Sequence, residues 1–187
     1  MSSLRVSRRK VLLAGGLLLT GLGAGVPPAE AGSAAIADVA LRSSQDGARV
    51  WFDPVGIVVA PGTTVRWTLS DGVHTATAYH PDNDGYALRI PKDAKPWDSG
   101  YLTEPGASYS VRLDVEGVYD YFCRPHELGG MAGRIVVGRP AGPGYMPFDY
   151  WRRAGNPPPW KPVSSMARTT IPDVDVILRE GVVRANI

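Results

Sequence analysis

The chain has little of what most metal and redox proteins are built from. Cys123 is its only cysteine in 187 residues. That excludes an intrachain disulfide framework, an iron–sulfur cluster and a four-cysteine zinc site. Histidine is nearly as scarce. His74, His80 and His126 limit any metal centre to a small mixed-ligand site. The net charge of +2 is too weak for a nucleic-acid binder. No internal repeat and no sustained helical periodicity is present. What is plentiful is glycine (22) and proline (17), a composition that favours strands and turns. The length suits one domain with additions rather than two full domains.

The first 31 residues read as an address. Ser7-Arg8-Arg9-Lys10-Val11-Leu12 resembles the twin-arginine export motif, and an apolar run from Val11 to Val26 follows, interrupted by glycines. That run falls short of the ~20 residues of a membrane span. Ala29-Glu30-Ala31 supplies the small-x-small pattern of a cleavage site. No cysteine follows the run, so a lipoprotein is excluded. The expected mature chain starts at residue 32 and works outside the cytoplasm, in a periplasmic or other extracytoplasmic space, without stable membrane insertion.

Residues 38–138 read as short strands. In Thr64–Leu69, Val65, Trp67 and Leu69 alternate with Thr64, Arg66 and Thr68. Tyr109, Val111 and Leu113 alternate with Ser108, Ser110 and Arg112, and Tyr119, Tyr121 and Cys123 oppose Asp120 and Phe122. Period two predicts one buried and one wet face, as in antiparallel sheets. Turn signals such as Pro61-Gly62, Asp71-Gly72 and Glu116-Gly117 separate the runs. Seven or eight such strands imply an all-β sandwich or barrel.

Residues 139–187 form a separate C-terminal extension. It is rich in proline, yet carries Tyr145, Phe148, Tyr150, Trp151 and Trp160. A solvated linker seldom holds so many aromatics. Seven basic against four acidic residues give it +3, whereas residues 33–138 hold nine basic and thirteen acidic, a net of −4. The extension is therefore expected to fold back over its own body, burying Trp151 and Trp160 and leaving uncovered the end of the sandwich that carries His126. A short helix is expected near its end, with Pro172 in the first turn, Asp173 and Asp175 at its positive end, and Gly181 as its stop.

The chemistry lies in one stretch. Cys123-Arg-Pro-His126-Glu-Leu-Gly-Gly-Met131 places a thiol, an imidazole and a thioether within nine residues, between the ends of two strands. This soft ligand set suits copper that cycles between Cu(I) and Cu(II), and a His2Cys site with a weak axial Met needs one further histidine. His74, at the end of a strand, is the candidate. His80 reads as a surface residue in the Pro81–Gly85 loop, and Glu127 as a solvated charge.

These features resemble the cupredoxins of the plastocyanin, pseudoazurin and halocyanin type, over roughly residues 48–138. The likeness includes Phe52-Asp53-Pro54, the run Val59–Trp67, Ser99-Gly100, Gly117-Val118-Tyr119 and Gly133–Val137. It implies a Greek-key β-sandwich of seven or eight strands carrying one type 1 copper, with His74, Cys123 and His126 as strong ligands and Met131 as the axial one. It also implies an electron-transfer function, not an enzyme. The expected partners are redox proteins such as a c-type cytochrome or a membrane oxidoreductase, met by a monomer through the exposed edge of His126. Two departures stand out. Thr75 follows the first histidine where family members commonly have Asn, and Phe122 precedes the cysteine where plant plastocyanins have an outward tyrosine beside acidic patches. Asp82 with Asp84 is the nearest thing to such a patch.

Other copper chemistries are excluded on residues. A CuA centre needs two cysteines. Multicopper oxidases and copper nitrite reductases need a histidine beside the cysteine, where this chain has Phe122 and Arg124. The competing function on the same fold is copper storage, delivery or resistance. Such proteins use open Met- and His-rich clusters, and this chain has only Met1, Met131, Met146 and Met166.

Overall fold

The alternation in Thr63–Leu69 becomes a strand in which Thr63, Val65, Trp67 and Leu69 are buried and the residues between them are half-exposed. A computed structural model describes residues 35–186. The export signal expected over 1–31 lies outside the described residues. Nine strands occur among them: β1 (Ile36–Ser43), β2 (Val50–Asp53), β3 (Gly56–Val59), β4 (Thr63–Leu69), β5 (Thr77–Ala78), β6 (Ser108–Leu113), β7 (Gly117–Phe122), β8 (Ala132–Val137) and β9 (Val182–Val183). Two helices, α1 (Ser165–Thr170) and α2 (Val174–Glu180), precede β9.

The strands form two sheets, ordered β2-β1-β4-β6 and β5-β7-β8-β3-β9. Period-two alternation predicts antiparallel pairing, but the sheets are mixed. β1 runs parallel to β4 and β3 parallel to β8. The chain changes sheet between β2 and β3 and again between β3 and β4, so strands distant in sequence meet in the same direction. Val39, Leu41, Phe52, Trp67, Tyr121 and Ile135 fill the space between the sheets. Tyr121 packs against Phe52 and Trp67 at 4.7 and 5.3 Å between ring centres. Each such side chain stabilises the fold by ~1.5–3 kcal/mol on burial.

The second expectation to fail is the wet face of β7. Every residue of β7 and β8 is buried. The extension covers the outer face of their sheet. Phe122 and Ala132 pack with Val163, Ala167 and Ile171, while Val118 and Val136 pack with Val174 and Ile177. Gly56 permits the close approach of α2 and the residue before its cap, because a Cβ there would lie 2.9 Å from Ile177 Cδ1 and 2.6 Å from Pro172 Cγ. Asp120, also on this face, is fully buried between Arg89 and Arg134. Phe122 is therefore covered by the extension and does not face solvent.

The helix expected near Pro172 is α2. Asp173 is its N-cap, so Pro172 lies just outside the first turn, and Gly181 ends it at φ +74°. The chain does not finish there, since β9 follows and pairs with β3. Trp151 is buried as expected, but Trp160 is only half-buried against it. The end that carries His126 is partly covered, because Ser164 bonds Glu127 and α1 sets Met166 and Thr170 against Gly130, while His126 itself stays half-exposed.

Candidate metal centre

Three of the four residues singled out in the sequence converge at one end of the sandwich. His74 follows β4 and is held by reciprocal backbone hydrogen bonds with Leu102 (3.2 and 2.8 Å). Cys123 and His126 sit at the end of β7 and in the short 3-10 helix Arg124–Gly129 that follows it. Pro125 suits the first turn of that helix. Gly130 closes it at φ +90°, a left-handed conformation that favours glycine. Cys123 N–H then donates to Met131 O (3.0 Å) and Met131 N–H to His126 O (3.1 Å), which folds the loop back on itself. Met131 is fully buried at the foot of the loop, in the same core cluster as Cys123.

His74 Nδ1 lies 3.1 Å from His126 Nδ1 and 3.6 Å from Cys123 Sγ, and Cys123 Sγ lies 3.4 Å from His126 Nδ1. These three distances define a triangle whose centre is about 2 Å from each atom, close to the ~2.0–2.3 Å of metal bonds to nitrogen and sulfur. Among the described residues this is the cluster of three metal-ligating side chains with converging donor atoms. The donor set, two imidazoles and a thiolate in a buried pocket, fits copper.

Neighbours orient each donor. His74 Nε2 lies 2.9 Å from Ser43 Oγ, and Ser43 N–H bonds the Asp71 carboxylate. With Nε2–H donating to Ser43 Oγ, His74 carries its lone pair on Nδ1, the atom that faces the thiol. Thr75 N–H donates to Cys123 Sγ (3.4 Å), and Thr75 Oγ1 accepts from Arg124 N–H (2.9 Å). The hydroxyl thus ties the segment after His74 to the one after Cys123. Arg124 also pairs with Asp84 (2.8 Å) and with Asp98. Asp84 is accordingly spent on an ion pair rather than standing in an open acidic patch.

Electrostatics favour neutral ligands. Burial, then the charge of His126, pushes His74 down to about 4, against a smaller opposing pull from Asp71. Burial also lowers His126. The Cys123 thiol is pushed up to about 11 by burial, against the N–H groups of Thr75 and His126. Both imidazoles are therefore free bases at neutral pH, and the thiol must lose its proton to bind a metal.

His80 stays apart from the cluster, its Nδ1 accepting from Asp82 N–H (3.1 Å). Glu127 corrects our reading of it as a solvated charge. It is 2% exposed, and its carboxylate accepts from Tyr79 O–H (2.9 Å) and Ser164 N–H (2.8 Å). The sequence reading also passed over Ser43, because a hydroxyl 31 positions from His74 carries no local signal. Around the site, Val73, Tyr101 and Leu128 are exposed.

Comparison with known proteins agrees with this geometry. The sequence pattern of copper binding proteins of the plastocyanin/azurin family matches residues 38–138. The chain is 32% identical over 118 residues to a chloroplastic plastocyanin of Tetradesmus obliquus, covering 58% of this chain and 79% of that one. It is 32% identical over 103 residues to a plastocyanin of Scenedesmus fuscus, covering 54% and 99%. The structure of native pseudoazurin from Hyphomicrobium denitrificans has the same fold, with a TM-score of 0.53 at 21% identity, covering 78% of this chain and 98% of that one.

Proposed function

Given that the chain belongs to the plastocyanin/azurin family of copper binding proteins, we propose that it is a type 1 blue-copper carrier of single electrons between redox partners outside the cytoplasm. His74 Nδ1, Cys123 Sγ and His126 Nδ1 would hold copper, and the buried Met131 beside them would supply a fourth, weaker donor that tunes it. The observation that carries this reading is the buried triangle of two imidazole nitrogens and one thiol sulfur. Bound copper supplies a one-electron couple whose two states prefer different coordination.

The protein's part is to keep one arrangement for both states. Ser43 fixes the ring of His74, and Thr75 fixes Cys123 through its N–H and the cysteine loop through its hydroxyl. The backbone bond from Cys123 to Met131 fixes the loop. With the donors pre-set, little reorganises when an electron arrives or leaves. Four protein ligands leave no position for a substrate, which supports a carrier rather than an enzyme. His126 is the ligand closest to solvent, and the exposed side chains of Val73, Tyr101 and Leu128 suit a brief contact with a redox protein. The Arg8-Arg9 motif supports export.

The test is optical. Copper-loaded protein should show an intense visible thiolate–Cu(II) band, and Cys123→Ser should abolish it while leaving the fold intact by circular dichroism. A wild type that binds copper without colour would refute the type 1 assignment.

A further inference from the structure

We propose that the C-terminal extension clamps the copper-ligand loop through Ser164 and Glu127, which makes both of them positioning residues for the metal centre. The proposal rests on the ligand assignment above. It gives residues 139–187 a role in the site that neither charge nor aromatic content had indicated.

The contact is built on both sides. Glu127 follows the ligand His126 directly, and its side chain turns inward while Leu128 points to solvent. Ser164 N–H donates to Glu127 Oε1 at 2.8 Å, and Ser164 Oγ donates to the Glu127 backbone carbonyl at 3.1 Å. The same hydroxyl accepts from Ala167 N–H at 3.1 Å, as the N-cap of α1. One side chain therefore starts the helix and holds the ligand loop. Tyr79 O–H adds a third bond, to Glu127 Oε1 at 2.9 Å. One turn further along, α1 meets the loop again. A Cβ on Gly130 would lie 2.9 Å from both Met166 Cγ and Thr170 Oγ1.

A carboxylate costs free energy to bury unless its oxygens are paired. Glu127 Oε1 has two donors, whereas Oε2 is buried with none among the described residues. A surface loop needing only solubility would turn this carboxylate to water. Its inward position is maintained by the extension, and it fixes the backbone on the C-terminal side of His126. Fixing that backbone limits how far the imidazole can move, as outer partners of metal ligands do elsewhere.

Ser164 offers a clean test because its φ is −61°, compatible with proline. Ser164→Pro removes both the N–H and the hydroxyl from Glu127 without changing any charge. The full chain is loaded with copper, and two properties are read: the rate of Cu(I) transfer to a chelator, and the relative intensities of the visible bands with the electron paramagnetic resonance splitting. Ile177→Ala serves as the reference, since it weakens the packing of α2 away from the loop. Ser164→Pro should lose copper about tenfold faster than an Ile177→Ala protein of similar melting temperature and should alter the spectra, as loss of an outer partner does. Ser164→Ala, which keeps the N–H donor, should fall between the two. If Ser164→Pro does not fold, Ser164→Ala carries the same comparison. Spectra identical to wild type, with copper loss within twofold of the reference, would overturn the clamp. A wild type lacking the thiolate band would instead overturn the ligand assignment on which the clamp rests.

Discussion

The buried carboxylate of Asp120 sets up the sharpest stability test. It is fully buried and accepts from Arg89 Nε (3.0 Å), Arg134 Nε (2.7 Å) and Arg134 Nη2 (3.0 Å), with Arg89 Nη2 at 2.9 Å. Arg89 in turn donates to the carbonyls of Pro143 (2.9 Å), Gly144 (2.7 Å) and Met146 (2.7 Å), and stacks over Phe148 at 4.4 Å. Arg134 donates to Pro172 O at 3.0 Å. One anion thus aims two guanidiniums at the extension. Asp120→Asn leaves those cations buried side by side without the carboxylate they share, and with only Asp173, which forms no ion pair with either, as a counter-charge to Arg134. Removing one partner of a buried pair costs ~3–5 kcal/mol. At ~2–4 °C per kcal/mol for a domain of this size, the melting temperature should fall by ~6–20 °C. Calorimetry of the copper-free protein gives the number, and limited proteolysis should show earlier cleavage between residues 139 and 163. A fall below about 2 °C with an unchanged cleavage pattern would mean that the carboxylate is not what aims Arg89 and Arg134, and the reasoning would fail.

Two further outcomes follow from the metal centre. Met131→Gln should retain copper and colour but lower the reduction potential, because an amide oxygen favours Cu(II) over a thioether; cyclic voltammetry reads it, and loss of copper would make Met131 a primary ligand. With the Cys123 thiol near 11 and both imidazoles already neutral, copper uptake at pH 7 should release about one proton, and apparent affinity should rise about tenfold per pH unit from 7 to 9. Competition titrations against a chelator measure this slope, and a flat profile would show that the thiolate is not the ligand.

The ligand loop was legible because its chemistry is contiguous. Cys123, His126 and Met131 lie within nine residues, and a backbone that bonds Cys123 to Met131 must bring them together. His74 could be found because few histidines compete. Ser43, Glu127 and Ser164 were hidden for the opposite reason. Each acts through a partner more than 30 positions away, and a hydroxyl or carboxylate has no pattern that announces such a partner. The outer face of β7 misled for a related reason. Asp120 beside Tyr119 and Tyr121 reads as a solvent-facing charge, and its two arginines come from residues 89 and 134. A signal was nonetheless present: Val118, Phe122, Ala132 and Val136 put apolar side chains on the face assigned to water. That is the mark of a sheet covered on both sides.

The parallel pairing of β3 has a consequence in time. Residue 56 finds its β8 partner at residue 134 and its β9 partner at residue 183. At ~5–20 residues per second of synthesis, β3 waits on the order of ten seconds before β8 exists, and longer before β9 closes its second edge. Throughout that interval Ile57, Val58 and Val59 belong to a strand with no neighbour on either side, a template for pairing with another nascent chain. The architecture that later encloses the metal thus depends on a slow, non-local step early in the molecule's life.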